Sequence, residues 1–393
     1  MLSPEHRAIV KATVPLLETR GEALTRHFYD MLINGNPEVR PLFNQANQAS
    51  GTQQRALANG VLMYARHIDQ LDQLGGLVAR ITHKHVALNI LPEHYPIVGR
   101  CLLQSIRDVL GAEIATDTVI AAWAAAYQQL ADLLTGAEES LYARKAAATG
   151  GWRGTRVFRV ARKVRESDEI TSFHLRPADG GALLAFDPGQ YIGVRLLIDG
   201  EEARRNYSLS APADGREYRI SVKREPDGKV SNHLHAHVEE NDTLDLFAPS
   251  GDFTLRAGDK PLVLISGGVG ITPTLPMLHA ALETGRPVHF IHSARHGGVH
   301  AFRDSVDRLV ARYPQLKRFY CYEQRRAQDA DAHGTGYLDE ALLDRWLPRS
   351  RDVDAYFLGP LPFMKAVKKH LKALGVPESQ SHYEFFGPAA ALD

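Results

Sequence analysis

Arg205-Asn206-Tyr207-Ser208-Leu209-Ser210, followed downstream by Gly267-Gly268-Val269-Gly270-Ile271-Thr272-Pro273, is the pair of stretches on which the reading of this chain turns. An aromatic between an arginine and a serine suits a flavin. Tyr207 packs on the ring system and Arg205 pairs with the pyrophosphate, with Asn206 and Ser208 in the same run. The glycines sit where an apolar strand, Pro261 to Ile265, gives way to a helix. Bare backbone at that point lets a second pyrophosphate approach the helix N-terminus. A flavin site followed by a nicotinamide site takes in a hydride and passes on electrons, so the rest of the chain has to be read for an acceptor.

At 393 residues the chain exceeds one ordinary core, and about two to three domains are expected. Lys+Arg and Asp+Glu are equal at 46 each, so no global field favours nucleic acid or a membrane surface. Cys101 and Cys321 fall in different predicted domains, which argues against a disulfide framework and for a reducing compartment. The start, Met1-Leu2-Ser3-Pro4-Glu5-His6-Arg7, lacks the apolar core of a signal peptide, and no run approaches the ~18 apolar residues of a membrane span. A cytoplasmic enzyme, most simply a monomer, is the expectation.

Residues 1–148 read as helices throughout. Ser3 caps the first, with Pro4 at its first position and Gly21 at its end; the next runs from Glu22 to Ile33. Further helices fit 53–70, 76–90, 93–111 and 116–146, Pro92 restarting one after a break. Composition changes at Gly150-Gly151-Trp152, a short join. From Thr155 short strands follow, among them Arg219-Ile220-Ser221-Val222-Lys223, and these predict a small antiparallel barrel over 149–258. Over 259–393 strands alternate with helices, which predicts a parallel sheet covered on both faces.

Four segments converge on the flavin and the nicotinamide. Gln190-Tyr191 and Arg205–Ser208 supply ring and phosphate contacts, and Gly228-Lys229-Val230-Ser231-Asn232 opens a short helix, through Val230 and Ser231, toward the same pyrophosphate. Over residues 155 to 393 the chain resembles the ferredoxin-NADP reductase superfamily, whose Gly-x-Gly-x-x-Pro motif is matched by Gly268, Gly270 and Pro273, with Val269, Ile271 and Thr272 between them. The resemblance extends to Tyr383-Glu384-Phe385-Phe386-Gly387-Pro388: it implies that Phe386 lies against the flavin where the nicotinamide enters, with Glu384 close by. Arg295, after the strand ending Phe290-Ile291-His292, is either a partner for a 2′-phosphate or a solvated loop arginine. NADH is the expected donor, with NADPH accepted.

In the helical part, Leu74, Leu77, Ile81, His85 and Leu88 recur on one face at helical spacing, so His85 points toward an apolar pocket and His83 does not. Alone, His85 would read as a packed core histidine; a haem needs such a ligand in an apolar slot. Phe43, Gln53 and His85 follow the globin order of ring-packing phenylalanine, distal polar residue and proximal histidine, and Tyr29 adds a hydroxyl to an apolar helix face. Across essentially its whole length the chain resembles the bacterial flavohaemoglobins. The implied architecture is an all-α globin, an antiparallel β-barrel FAD domain and an α/β parallel-sheet NAD(P) domain, with haem b, FAD and NADH or NADPH as cofactors.

That resemblance makes His85 the proximal iron ligand, matches Tyr95 and Glu138 to the pair that hydrogen-bonds it, and sets Glu138 rather than the neighbouring Glu139 in this role. It puts Tyr29, Gln53 and Leu57 on the distal side, and Lys84 at a haem propionate or the reductase. The implied activity is nitric oxide dioxygenation: NAD(P)H reduces FAD, FAD reduces haem, and haem-bound O₂ oxidises nitric oxide to nitrate. Two other readings stand beside it, a haem protein that binds or senses O₂ or nitric oxide, and a reductase of external acceptors such as peroxides, ferric complexes or quinones. The sequence leaves open whether a lipid or hydroperoxide enters the haem pocket.

Overall fold

The computed structural model describes residues 2–43, 51–329 and 331–387. The chain divides into two compact units: Met1–Thr155 with Arg195–Arg205 and Gly387, and Arg156–Val194 with Asn206–Phe386.

In the first unit the helices are α1 (Pro4–Ala12), α2 (Val14–Gly35), α3 (Thr52–Arg66), α4 (Gly75–Ala87), α5 (His94–Leu110) and α6 (Asp117–Ala147). Ser3 caps α1 as its sequence predicts, its Oγ accepting from His6 N at 3.1 Å. Gly21 does not end a helix. The break falls earlier, at Thr13, and Pro15 restarts the chain in α2, which runs through Gly21 without interruption. Tertiary packing explains this: Gly21 is buried against Ala58 of α3, and the contact outweighs the weak helix propensity of a glycine. One core gathers Leu24, Phe28, Leu32, Tyr64, Leu102, Ile106 and Trp123 from these helices.

After α6 comes an antiparallel sheet of β1 (Arg156–Arg165), β2 (Ile170–Pro177), β3 (Tyr191–Ile198), β4 (Glu201–Ser208), β5 (Tyr218–Lys223) and β6 (Thr243–Leu246), in the order β4–β3–β6–β1–β2–β5. A bridge between Leu209 and Ile220 curls it into a half-barrel, and α7 (Lys229–His237) follows β5.

A parallel sheet comes next: β7 (Leu262–Gly267), β8 (Val288–Ala294), β9 (Leu316–Tyr322), β10 (Gly334–Thr335), β11 (Asp354–Leu358) and β12 (Ser381–Tyr383), in the order β10–β9–β8–β7–β11–β12. Period-two alternation builds two cores on it. Leu262 and Leu264 of β7 and Tyr356 and Leu358 of β11 face α8 (Ile271–Glu283) and α9 (Arg303–Arg312). Val263, Ile265, Ala355 and Phe357 face α10 (Glu340–Trp346) and α11 (Leu361–Ala373). The strand order reverses between β7 and β11, and the glycine turn lies at the carboxyl end of β7, where open sheets of this kind bind ligands.

Candidate functional site

His85 lies in the last turn of α4. Its Nδ1 is 2.7 Å from Glu138 Oε1 and 3.2 Å from the Tyr95 hydroxyl, and Tyr95 Oη donates to the same carboxylate oxygen at 2.6 Å. A carboxylate oxygen that accepts from both neighbours fixes the proton on Nδ1, which leaves Nε2 as the bare, lone-pair nitrogen. Among the described residues nothing hydrogen-bonds that nitrogen. Glu138 is only 2% exposed, whereas Glu139 is exposed and grips Arg153 with both oxygens at 2.7 and 2.6 Å. Half-buried Tyr95 is pushed well above the ordinary tyrosine pKa by desolvation and then by Glu138, so its hydroxyl stays a donor.

Two tyrosines not singled out in the sequence support this group. Tyr127 Oη donates to the Tyr95 carbonyl at 2.6 Å, and Tyr142 Oη donates to the Ile90 carbonyl at 2.8 Å, just beyond the end of α4. The face of α4 buried by protein is Thr82, Val86 and Ala87; Leu77, Ile81, His85 and Leu88 are half-buried.

On α2, Tyr29 is buried, with its ring edge-on to Phe43 at 5.6 Å and to Phe28 at 4.9 Å. Burial pushes its hydroxyl far above the ordinary tyrosine value, and a hydrogen bond with the Gln53 side chain partly opposes this. The structure thus brings Tyr29, Phe43 and Gln53 together, and Leu57 packs on the same core one turn along α3. Lys84 Nζ donates to the Gly387 carbonyl at 2.9 Å.

In the second unit Tyr191, the first residue of β3, is buried, and its hydroxyl has no partner among the described residues. Its pKa is raised well above the usual value by burial, with Glu384 and Asp252 adding to the shift. Gln190 is committed to the turn before β3: its Oε1 accepts from Asp187 N at 3.0 Å and its Nε2 donates to Gly251 O at 3.2 Å. Arg205, Asn206, Tyr207 and Ser208 occupy the end of β4, Asn206 exposed and the other three half-buried. Val230 and Ser231 are buried in the first turn of α7, where Ser231 Oγ accepts from Glu225 N at 3.1 Å.

The second glycine-rich stretch runs Gly268-Val269-Gly270 and then Ile271-Thr272-Pro273 as the first turn of α8. Gly268 has φ +55°, and a Cβ on Gly270 would lie 2.5 Å from Leu358 O at the end of β11. Only bare backbone allows β7 and β11 to close on each other there, at the first turn of α8. Phe385 packs edge-on to Tyr383 at 5.8 Å, and Phe386 is 52% exposed. Pro388 lies outside the described residues. Arg295 is exposed and forms an ion pair with Glu169.

Family models match in the order that this geometry requires: Globin over residues 26–134, Oxidoreductase FAD-binding domain over 157–255 and Oxidoreductase NAD-binding domain over 264–369. The flavohemoprotein of Burkholderia sp. (strain TH2) is 74% identical over 393 residues, 100% of both chains. The chain belongs to the flavohemoprotein family. The flavohemoprotein of Pseudomonas putida is 69% identical, again over 100% of each chain. Among solved structures, the flavohemoglobin from Malassezia yamatoensis with bound FAD and heme superimposes with a TM-score of 0.85 at 27% identity, covering 98% of this flavohemoprotein and 100% of that chain. The FAD/NAD-binding domain of nitric oxide dioxygenase from Vibrio cholerae is 40% identical, with a TM-score of 0.56 over 60% of this chain and 100% of its own. No helix among the described residues is long and apolar enough to cross a membrane.

Proposed function

We propose that this chain is a nitric oxide dioxygenase that uses NAD(P)H, FAD and haem to turn nitric oxide and O₂ into nitrate. The observation that carries the reading is the His85–Glu138–Tyr95 group, which presents a lone pair at Nε2 on an apolar, half-buried face. That donor set fits a haem. A neutral imidazole with its second nitrogen tied to a carboxylate would suit a haem that activates O₂ rather than storing it. The buried, orphaned hydroxyl of Tyr191 likewise fits a polar ring edge or phosphate.

When bound, FAD splits the two-electron hydride into single electrons and haem supplies an iron that binds dioxygen. The residues of the chain would do the following. His85 Nε2 would hold the iron, and Glu138 Oε1, by keeping the Nδ1 proton, would make the imidazole a stronger donor. Tyr29 Oη keeps its proton because burial disfavours its anion, so it would offer an O–H to negative charge developing on the oxygen substrate, with Gln53 orienting it. Phe43 and Leu57 would line the pocket, and Lys84, through its ammonium, would meet a propionate or the reductase. Gly268 and Gly270 would let the dinucleotide pyrophosphate reach the α8 amides, with Thr272 and Pro273 shaping that first turn. Phe386, exposed at the chain's last motif, would cover the flavin until the nicotinamide arrives.

A nitric oxide electrode tests the reading. Purified protein with NADH and O₂ should consume nitric oxide far above a haem-free control, with nitrate as product. His85→Ala should abolish that consumption and spare flavin reduction by NADH. Equal rates with and without haem would refute the assignment.

A further inference from the structure

Helix α7 carries three alternate histidines, His233, His235 and His237, and directs them to two sides. His235 faces the half-barrel: its Nε2 donates to Val222 O of β5 at 2.8 Å, and its Nδ1 lies 3.4 Å from Thr171 Oγ1 of β2. Val230, Ser231 and Leu234 are buried on the same helix, so α7 is fixed where it lies. His233 and His237, one turn apart, share the outer face, the first half-buried and the second exposed. Among the described residues neither ring has a hydrogen-bond or ion-pair partner. They meet each other instead, with centroids 5.2 Å apart and planes tilted by 39°.

That spacing is the one a shared metal ion demands. With metal–nitrogen bonds of about 2.0–2.1 Å, two imidazoles on one ion have centres about 4.5 Å apart at a right angle and about 5.2 Å apart at the tetrahedral angle. A helix already in place holds both rings together, so little chain ordering opposes binding. The local charge is also suitable. His237 ends α7, at its negative pole, and three carboxylates follow: Glu239 Oε1 accepts from Lys163 Nζ at 2.9 Å, Glu240 Oε1 from Lys163 N at 3.0 Å, and Asp242 Oδ2 from Glu239 N at 2.7 Å. Lys163 offsets one of these charges and also donates to His235 O at 2.9 Å. Lys229 and Arg224, the latter held by Asn232 Oδ1 at 2.8 Å, belong to the other end of the helix.

We propose that His233 and His237 chelate one borderline divalent cation, of the copper, nickel and zinc class, on the outer face of α7. Imidazole nitrogens select such ions over magnesium or calcium, which prefer oxygen ligands. Among the described residues no third histidine, cysteine or carboxylate joins the pair, so the ion keeps water on its remaining positions and exchanges readily. It ties successive turns of α7 together and stabilises the folded chain by mass action. Neither histidine belongs to the haem, flavin or nucleotide groups described above, so the site stands apart from the proposed activity.

Calorimetric titration of the metal-stripped holoenzyme with Cu(II) at neutral pH counts the site, and the electron paramagnetic resonance spectrum of that complex reads its ligands. One equivalent should bind, with splitting from two ring nitrogens. His233→Ala and His237→Ala should each weaken it by at least about tenfold, because a ligand costs no less than the groups that support one. The double variant should be little weaker than either single one, since the pair acts as one chelate. Mg(II) should not compete. Zn(II) should raise the urea midpoint of the wild type and not that of the double variant. Both side chains lie on the outer face without partners, so the variants should fold as the wild type does. Copper bound by the double variant with unchanged affinity, or a wild type that binds none, overturns the proposal.

Discussion

Glu138 Oε1 holds the Nδ1 proton of His85 at 2.7 Å while accepting a second hydrogen bond from Tyr95 at 2.6 Å. The two bonds together fix one tautomer and one ring orientation, and they are made by helices α4, α5 and α6 at once. Glu138→Gln keeps the shape and a hydrogen bond but removes the charge. It should cut nitric oxide turnover by roughly 10- to 100-fold, the range typical for partners of metal-bound histidines. It should also lower the iron–histidine stretching frequency in the Raman spectrum of the reduced protein. An unshifted frequency would mean that the carboxylate does not tune the ligand.

Tyr29 is a buried donor on α2, held in its protonated form by desolvation. Tyr29→Phe should speed O₂ release by at least about tenfold, the loss expected for one buried donor to a charged acceptor. Flavin reduction by NADH should continue at the wild-type rate. Flash photolysis of the O₂ complex reads the first number and stopped-flow absorbance the second. Unchanged O₂ release would assign the donor role to another group.

How legible this site was depends on how far apart its parts lie in the sequence. The glycine turn and the alternation of strands and helices around it are local, and the parallel sheet that they predict is present. Glu138 was chosen by resemblance, although the chain itself carries the signal: it falls at helical spacing with Ala131, Leu134, Leu141 and Tyr142 on the buried face of α6, which Glu139 does not. Gly21 misled because a glycine at a helix end and a glycine in a helix–helix contact look alike in one sequence. The ion pair of Arg295 could not be read, since its partner Glu169 is 126 residues away and nothing local announces it.

Gly270→Ala probes the nucleotide turn. The added Cβ would sit 2.5 Å from Leu358 O and 2.7 Å from its carbonyl carbon, both backbone atoms that cannot swing aside. The ends of β7 and β11 must separate, at a strain cost of about 1–3 kcal/mol. The NADH concentration for half-maximal flavin reduction should rise by at least about tenfold, following that strain at 1.4 kcal/mol per decade. Ligand binding at the haem should be unaltered. Half-saturation unchanged in stopped-flow reduction would show that the close approach has no bearing on nucleotide binding.

His292 and His300 set the acid limit of the reductase part. Their rings stack at 4.3 Å inside the parallel-sheet core, His292 Nδ1 bonded to Ser266 at 2.8 Å and His300 Nδ1 to the Tyr322 hydroxyl at 2.8 Å, while both Nε2 atoms are buried without a partner among the described residues. Burial lowers His292 to about 3 and His300 well below its usual value, the latter with help from His292 and two arginines. The folded protein therefore keeps both rings neutral at pH values where the unfolded chain, with a histidine pKa near 6.5, takes up protons. Stability is complete above about pH 6.5 and declines as the pH falls toward the folded-state values. At pH 5.5 each histidine should cost about 1.4 kcal/mol, a figure set by the unfolded pKa and so insensitive to how low the folded one lies. Urea midpoints for loss of the flavin signal at pH 7.5, 6.5 and 5.5 measure the slope. His292→Gln should reduce the loss at pH 5.5 by about 1.4 kcal/mol, because one of the histidines that only the unfolded chain protonates is gone. A midpoint that does not change between pH 7.5 and 5.5 would mean that these rings are protonated in the folded protein.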